Sequence, residues 1–343
     1  MTETLAGIGE FGLIDRIDAL IRKEGLQAPG VTLGIGDDCA SFRPREGYES
    51  LVTCDSMVEG RHFLPRHITP LELGRRAMVM NISDIGAMGG SPLYALVSLG
   101  LRGDTPVKEI EEIYRGFLLE LNPLGASIIG GNLTKSGNGI FIDITLIGDV
   151  EQGKILGRST ARVDDAILVT GFPGQSAAGL QLLLNSDGSN DLQNHPLVRA
   201  YNAPAHRALE GRAIARSGSA TAMIDISDGL LGDLGHICEK SGVGAELYRE
   251  RLPLSEALKE GTGLSGDDSM EWVLKESDDY ELIVTCRPDR VDMIRSAVAR
   301  VSPVRITDIG KIKDRATGMS LILPDGSKQD LSPAGWDHFA ESE

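Results

Sequence analysis

The sequence predicts an α/β (or α+β) protein of two domains, and three observations carry that prediction. Short apolar runs alternate along the chain with segments whose apolar residues recur at helical spacing. The length, 343 residues, exceeds the roughly 100–200 residues that one domain usually holds. The periodicity also lapses between residues 150 and 163, where Glu151-Gln152-Gly153-Lys154 leads into a basic stretch with Arg158 and Arg162. The boundary is placed there, giving domains of 1–150 and 151–343, with helices covering one sheet face in each.

In the first domain, Leu13, Ile14, Ile17, Leu20 and Ile21 share one face of a helix that Gly25 can end. Two apolar runs, Val31–Ile35 and Leu51–Cys54, close on aspartates and read as strands that deliver carboxylates at their ends. Thr69-Pro70-Leu71-Glu72 opens a second helix, with Thr as N-cap, Pro at the first helical position and Glu completing a capping box. It is predicted to run to about Gly89. Leu93–Leu99 is a strand, and Pro106–Leu124 a helix with Ile110, Ile113, Phe117 and Leu121 inward. Ser127–Ile129 and Ile140–Ile147 are further strands.

The second domain repeats this grammar. Strand Ala166–Thr170 leads to a helix from Ser176, a polar loop at 185–195 and a helix near 204–216. Strand Ala220–Ile226 and helix Leu230–Lys240 follow. A strand at Tyr280–Cys286, a helix at about 288–300 and a hairpin turning at Pro324-Asp325-Gly326 complete it.

Composition excludes several functions. Fifty acidic against 34 basic residues leave a charge of −16, which repels nucleic-acid backbones and anionic membranes. The four cysteines, Cys39, Cys54, Cys238 and Cys286, form no Cys-x-x-Cys pair, so neither a zinc ribbon nor a disulfide scaffold is expected. No leader-like or membrane-spanning stretch is present, and a soluble cytoplasmic protein is predicted. Gly153-Lys154 and Gly310-Lys311 lack the Ser or Thr of a Walker A loop. Gly34-Ile35-Gly36 is followed by acids where a dinucleotide fingerprint has its third Gly. His-Glu-x-x-His and Gly-x-Ser-x-Gly are absent as well.

What recurs instead is Asp beside Gly, Ser or Asn at predicted strand ends. The instances are Gly36-Asp37-Asp38, Cys54-Asp55-Ser56, Asn81-Ile82-Ser83-Asp84, Gly130-Gly131-Asn132, Asp225-Ile226-Ser227-Asp228-Gly229 and Asp278-Asp279. Singly, such residues cap helices or form turns. Asp84 lies late in a helix, where N-capping is unavailable, and a partner Lys or Arg is the alternative to a metal ion there. Carboxylate, amide and hydroxyl oxygens together suit a hard cation such as Mg²⁺, through which an acidic protein can hold a nucleotide. Strand alternation puts Asp225 and Ser227 on the face of Met223, and Ile224, Ile226 and Asp228 on the other. The Gly-rich turn from Gly171 to Gly179 could offer N–H groups to an anion at a helix start.

The ordered set of segments resembles the thiamine-monophosphate kinases, of the superfamily built like aminoimidazole ribonucleotide synthetase. Besides those above it includes Gly9-Glu10-Phe11, Glu59-Gly60-Arg61-His62-Phe63, Ser176-Ala177-Ala178-Gly179-Leu180, Asp279-Tyr280-Glu281-Leu282 and Gly335-Trp336-Asp337-His338-Phe339. The resemblance implies a homodimer in which N-terminal mixed sheets pair into a barrel, with ATP and several Mg²⁺ ions bound there and the C-terminal α/β domain completing the nucleotide and substrate sites. By position it implies a metal site of Asp38, Thr53, Cys54, Asp55, Asp84, Asn132, Asp225 and Asp228. ATP contacts fall on Gly131, Asn132, Arg158 and Ser227, and the acceptor pocket on His62, Asp278 and Trp336. The implied reaction moves the γ-phosphoryl group of ATP to thiamine monophosphate, giving thiamine diphosphate and ADP. A phosphate monoester is already an anionic nucleophile at neutral pH, so no general base is expected.

Two positions depart from the family's pattern. Cys54 stands where Thr or Ser is usual, and a soft thiol is a poor Mg²⁺ ligand. Glu276-Ser277-Asp278 stands where Gly-Gly-Glu is common, which leaves open a paralogue with another acceptor or a non-catalytic nucleotide-binding scaffold.

Overall fold

The computed structural model describes residues 3–36, 38–186, 192–260 and 269–332. The chain divides into two compact units, residues 1–85 with 90–153, and residues 86–89 with 154–343.

The first unit runs α1 (Leu5–Glu24), β1 (Val31–Leu33), β2 (Ser41–Phe42), β3 (Tyr48–Val58), α2 (Pro70–Ala87), β4 (Ser91–Leu101), α3 (Val107–Leu121), β5 (Ser127–Lys135) and β6 (Phe141–Glu151). Its sheet has the order β3-β6-β4-β5, with β4 and β5 parallel and the other pairs antiparallel. Alternation sorts the side chains: Ile142, Ile144 and Leu146 of β6 are buried with Val97 and Leu99 of β4, while Asp143, Thr145 and Ser98 face the opposite, open side. Ile110, Ile113, Phe117 and Leu121 of α3 are fully buried, as the spacing predicts. The capping box of α2 forms: the Thr69 N–H donates to Glu72 Oε2 at 2.9 Å, and the Glu72 N–H to Thr69 Oγ1 at 3.2 Å.

Several strands exceed their predicted length. β3 and β5 continue through Asp55 and Asn132, because ladder partners Ile144 and Ser98 hold these residues in register. Neither residue therefore sits at a strand end.

The second unit runs β7 (Ala166–Thr170), α4 (Gln175–Asn185), α5 (Pro196–Asn202), α6 (Ala208–Ser217), β8 (Ala220–Asp225), α7 (Leu230–Ser241), β9 (Val243–Tyr248), α8 (Glu256–Lys259), α9 (Ser269–Leu274), β10 (Leu282–Cys286), α10 (Val291–Ala299), β11 (Ile306–Asp314), β12 (Met319–Ile322) and β13 (Lys328–Leu331). The sheet order is β13-β12-β9-β11-β7-β10-β8. Helices cover both faces, not one. Ile167, Val169, Ile224 and Ile283 pack with Leu230, Leu234 and Trp272 on one side, and Leu168, Met223 and Val284 pack with Ile214, Ile294 and Val298 on the other. That is why β7 and β10 are apolar runs without alternation. The helix predicted near 204–216 forms as α6, and α5, β9 and β11 were not anticipated.

Register brings three connections to one end of this sheet. β8 ends at Asp225 opposite Leu282, the first residue of β10. β10 then pairs with β7, which ends at Thr170. Segments 171–174, 226–229 and 276–281 therefore leave the sheet side by side. All four cysteines are free, and among the described residues no helix is long and apolar enough to cross a membrane.

Candidate functional site

In the first unit the sheet divides the expected ligands. Thr53 and Asp55, two apart on β3, share the helix-covered face, where the Thr53 hydroxyl donates to the carboxylate of Asp84 on α2. Cys54 takes the open face. It lies 3.4 Å from Asp143 Oδ1 and receives the Thr145 hydroxyl at 3.5 Å. The Thr145 contact lowers the thiol pKa, but burial and the carboxylates Asp143 and Asp55 outweigh it and hold the thiol above its ordinary value. A protonated thiol on the far side of the sheet from Asp84 is no partner for it in binding Mg²⁺.

Asn132 also takes the open face. Ladder register aligns it in one row with Ser98, Asp143 and Ser56, and the Ser56 hydroxyl donates to Asp143 Oδ2 at 2.5 Å. The structure thus groups Thr53, Asp55 and Asp84, and sets Cys54 and Asn132 apart from them. At Gly131, a Cβ would stand 1.9 Å from the Val97 carbonyl oxygen, so no side chain fits. His62 follows β3 and is oriented by the Val58 N–H, which donates to its Nδ1 at 3.1 Å. Asp38 is exposed between β1 and β2, while Asp37 and Trp336 lie outside the described residues.

In the second unit Asp225 is 2% exposed at the end of β8. The alternation expected beyond it does not hold, because the strand stops there and the chain turns onto the carboxylate of Asp233. The N–H groups of Ser227 and Asp228 both donate to Asp233 Oδ2 at 2.9 Å. Burial pushes Asp233 up to about 7, with Asp225 and Asp228 adding repulsion. One turn along α7, His236 brings a ring nitrogen into a group with Asp228 and Asp233 whose ligand atoms lie within 4.8 Å of one another. Crowded carboxylates that repel in the absence of a cation, with a buried Asp225 next to them, are a donor set that fits a divalent ion.

Ser227 lies in the turn held by Asp233, whereas the backbone of Arg158 is anchored at the other end of α7. The Arg158 carbonyl accepts the Ser241 hydroxyl at 2.8 Å, and the preceding Gly157 carbonyl accepts the Met223 N–H at 3.1 Å, tying the arginine's segment to α7 and β8. Asp278 accepts the Ser176 hydroxyl. Its neighbour Asp279 accepts the Gly174 N–H at 2.6 Å, the Ser176 N–H at 2.9 Å and the Ser277 hydroxyl at 2.6 Å. The start of α4, expected to receive an external anion, is capped by the chain's own carboxylate.

The segment is held against 226–229 by paired backbone bonds, Tyr280 N–H to Ile226 O at 2.8 Å and Ile226 N–H to Glu281 O at 2.7 Å. Arg207 grips Glu281 with two bonds of 2.5 and 2.6 Å. Sequence reasoning missed Asp233, His236 and Asp143, and named Asp279 without giving it a role. The spacing Asp228–Asp233–His236, a turn residue followed by two positions on one helix face, is the signal that could have found the first pair.

The sequence profile of AIR synthase related protein, N-terminal domain, matches residues 36–150, and that of AIR synthase related protein, C-terminal domain, matches residues 162–320. Thiamine-monophosphate kinase of Salmonella typhimurium is 35% identical over 97% of this chain and 98% of its own. The Bacillus subtilis enzyme of that name is 31% identical over 96% and 99%. Among solved structures, thiamine-monophosphate kinase from Stenotrophomonas maltophilia superposes with a TM-score of 0.80 at 31% identity, covering 94% of this chain and 98% of that one. A structure described as AaThiL complexed with AMPPCP and TMP gives 0.74 at 33% identity, covering 99% and 100%. With both profiles matched and relatives above 30% identity along nearly the whole length, the chain belongs to the AIR synthase related proteins and, within them, to the thiamine-monophosphate kinase family.

Proposed function

We propose that this protein transfers the γ-phosphoryl group of ATP to thiamine monophosphate, giving thiamine diphosphate and ADP. The carrying observation is the end-to-end likeness to a relative solved with an ATP analogue and TMP. Mg²⁺ is the implied metal. Several ions are implied: Asp38, Thr53, Asp55 and Asp84 of the first unit would hold Mg²⁺, and, taken by themselves, so would Asp225 and Asp228 of the second. When bound, it supplies charge neutralisation of the phosphoryl oxygens in a transfer with little covalent chemistry for the protein to do.

The chain's own residues do the rest. Gly131 keeps the β5 surface bare where a phosphate chain can lie against backbone. Asn132, Ser227 and Arg158 offer polar contacts to the nucleotide, and the guanidinium suits phosphate oxygens. By family likeness His62, Asp278 and Trp336 are the acceptor-binding positions, and the carboxylate of Asp278 complements the cationic thiazolium ring. No residue is assigned as general base, since the acceptor phosphate has its second pKa near 6 and arrives as an anion.

The further assignments follow the same reading: a cytoplasmic homodimer whose copies meet through the open sheet face of residues 1–150, with residues 151–343 completing the nucleotide and substrate sites, and no nucleic-acid or membrane partner. ADP release with Mg-ATP is to be measured across thiamine monophosphate, thiamine and other phosphate esters. Turnover on thiamine monophosphate alone supports the assignment; folded protein that turns over only another ester overturns it.

A further inference from the structure

Ser176 reads two carboxylates at once. Its N–H donates to Asp279 at 2.9 Å and its hydroxyl donates to Asp278, from a position at the start of α4 with no solvent exposure. Ser277, 7% exposed, donates its hydroxyl to Asp279 at 2.6 Å. Two serines thus fix two adjacent carboxylates with three bonds, two to Asp279 and one to Asp278.

The rest of the segment is equally constrained. Tyr280 has a φ of +53°, a left-handed conformation that a bulky side chain holds only under compulsion. The compulsion comes from both sides: Asp279 is tied to α4, and Glu281 to Arg207 and to the Thr170 hydroxyl at 2.6 Å. From the third side Gly229, with φ +95°, fits its backbone against Lys275 and Glu276, where a Cβ would come within 2.8 Å. The close approach that glycines at 276 and 277 would permit is made here by Gly229, which frees position 277 to carry a hydroxyl.

We propose that Ser176 and Ser277 are positioning residues of the acceptor pocket, whose hydroxyls lock the 276–281 segment so that Asp278 presents its charge to the cationic acceptor from one fixed place. This rests on the acceptor assignment of Asp278 given above. Asp278 is one methylene shorter than the Glu common at this place in the family. A short carboxylate cannot swing to meet the ring, so its backbone and rotamer must be set beforehand.

The test uses Ser176→Ala, Ser277→Gly and Ser277→Thr in the full-length protein. KM and kcat are measured for each substrate, and thiamine monophosphate binding by calorimetry. Ser176→Ala removes the bond to Asp278 and keeps the N–H bond to Asp279; Ser277→Thr keeps the hydroxyl. Ser176→Ala and Ser277→Gly are expected to weaken thiamine monophosphate binding and raise its KM about tenfold, the order of one lost hydrogen bond to a charged group. The KM for ATP stays within twofold, and Ser277→Thr restores the wild-type value. A purely structural role lowers the melting temperature and the active fraction without moving that KM, and that result overturns the proposal. If the wild-type protein neither binds nor turns over thiamine monophosphate, the acceptor assignment itself falls; binding by the wild type with unchanged affinity in both variants removes only the serines.

Discussion

Asp279 is 8% exposed and accepts three hydrogen bonds, yet burial pushes it up to about 6, ahead of the lowering effect of its donors. A folded-state value above the unfolded one means that its protonated form is the one favoured by folding. The associated stability is complete below the usual aspartate value near 4 and is lost as pH rises through 6, a shift of about 2 units or ~3 kcal/mol. Urea denaturation from pH 4 to 7 is therefore expected to show the stability of the wild type relative to Asp279→Asn falling by about that amount. Parallel curves would refute it.

For turnover the informative pair is Asp84 and Asp225, one in each carboxylate group. Asp84→Asn or Asp225→Asn is expected to lower kcat at least about tenfold with the fold retained. Asp225→Asn also removes a charge that repels Asp233, so its melting temperature should not fall. Cys54→Ser, across the sheet from Asp84, is expected to leave the Mg²⁺ dependence unchanged. Near-normal rates in both Asn variants would remove these carboxylates from the metal site.

Helices α2 and α3 cross at two glycines. A Cβ on Gly74 would stand 2.0 Å from the Ile113 carbonyl oxygen, and one on Gly116 2.3 Å from that of Leu71. Gly116→Ala gains up to about 1 kcal/mol of helix propensity but forces the backbones apart, and overpacking of this kind costs ~1–3 kcal/mol. Net destabilisation in thermal and urea melts is expected.

What the sequence made legible follows from the same physics. The Thr69–Glu72 capping box and the α3 stripe rest on contacts within a few residues, and both form as read. β9 and β11 escaped because their pattern is set by neighbours far along the chain. β9 begins directly after the left-handed Gly242 that ends α7, with no polar spacer, and Thr307, Asp308, Lys311 and Lys313 interrupt the apolar run of β11. In the site, the aspartates were visible as a recurrent type. Their grouping was not, since adjacent positions 53, 54 and 55 separate only when the sheet has two distinct faces.

The whole-chain charge of −16 includes carboxylates gathered where a cation would neutralise them, so part of the surplus is local and not a uniform surface excess. The open face of the first unit's sheet carries Val52 at 66% exposure, two residues from Cys54. If a second copy covers that face, Val52→Asp buries an unpaired charge in the contact. Sedimentation velocity should then show the dimer of the wild type shifted to monomer in Val52→Asp, whereas unchanged sedimentation would place the contact elsewhere.

Residues 86–89 group with the second unit although the first unit's strands lie on either side of them in the chain. Gly86 sets its backbone so near Ala208 that a Cβ would come within 2.7 Å of the Ala208 Cα, and the Met88 carbonyl accepts the Leu156 N–H. The second unit is thus discontinuous in the gene. A fragment beginning near residue 151 lacks residues 86–89, and should become well folded only when the preceding fragment is co-expressed in trans. During synthesis that piece leaves the ribosome long before the partners it must meet, so completion of the second unit waits on a segment already committed to the end of α2.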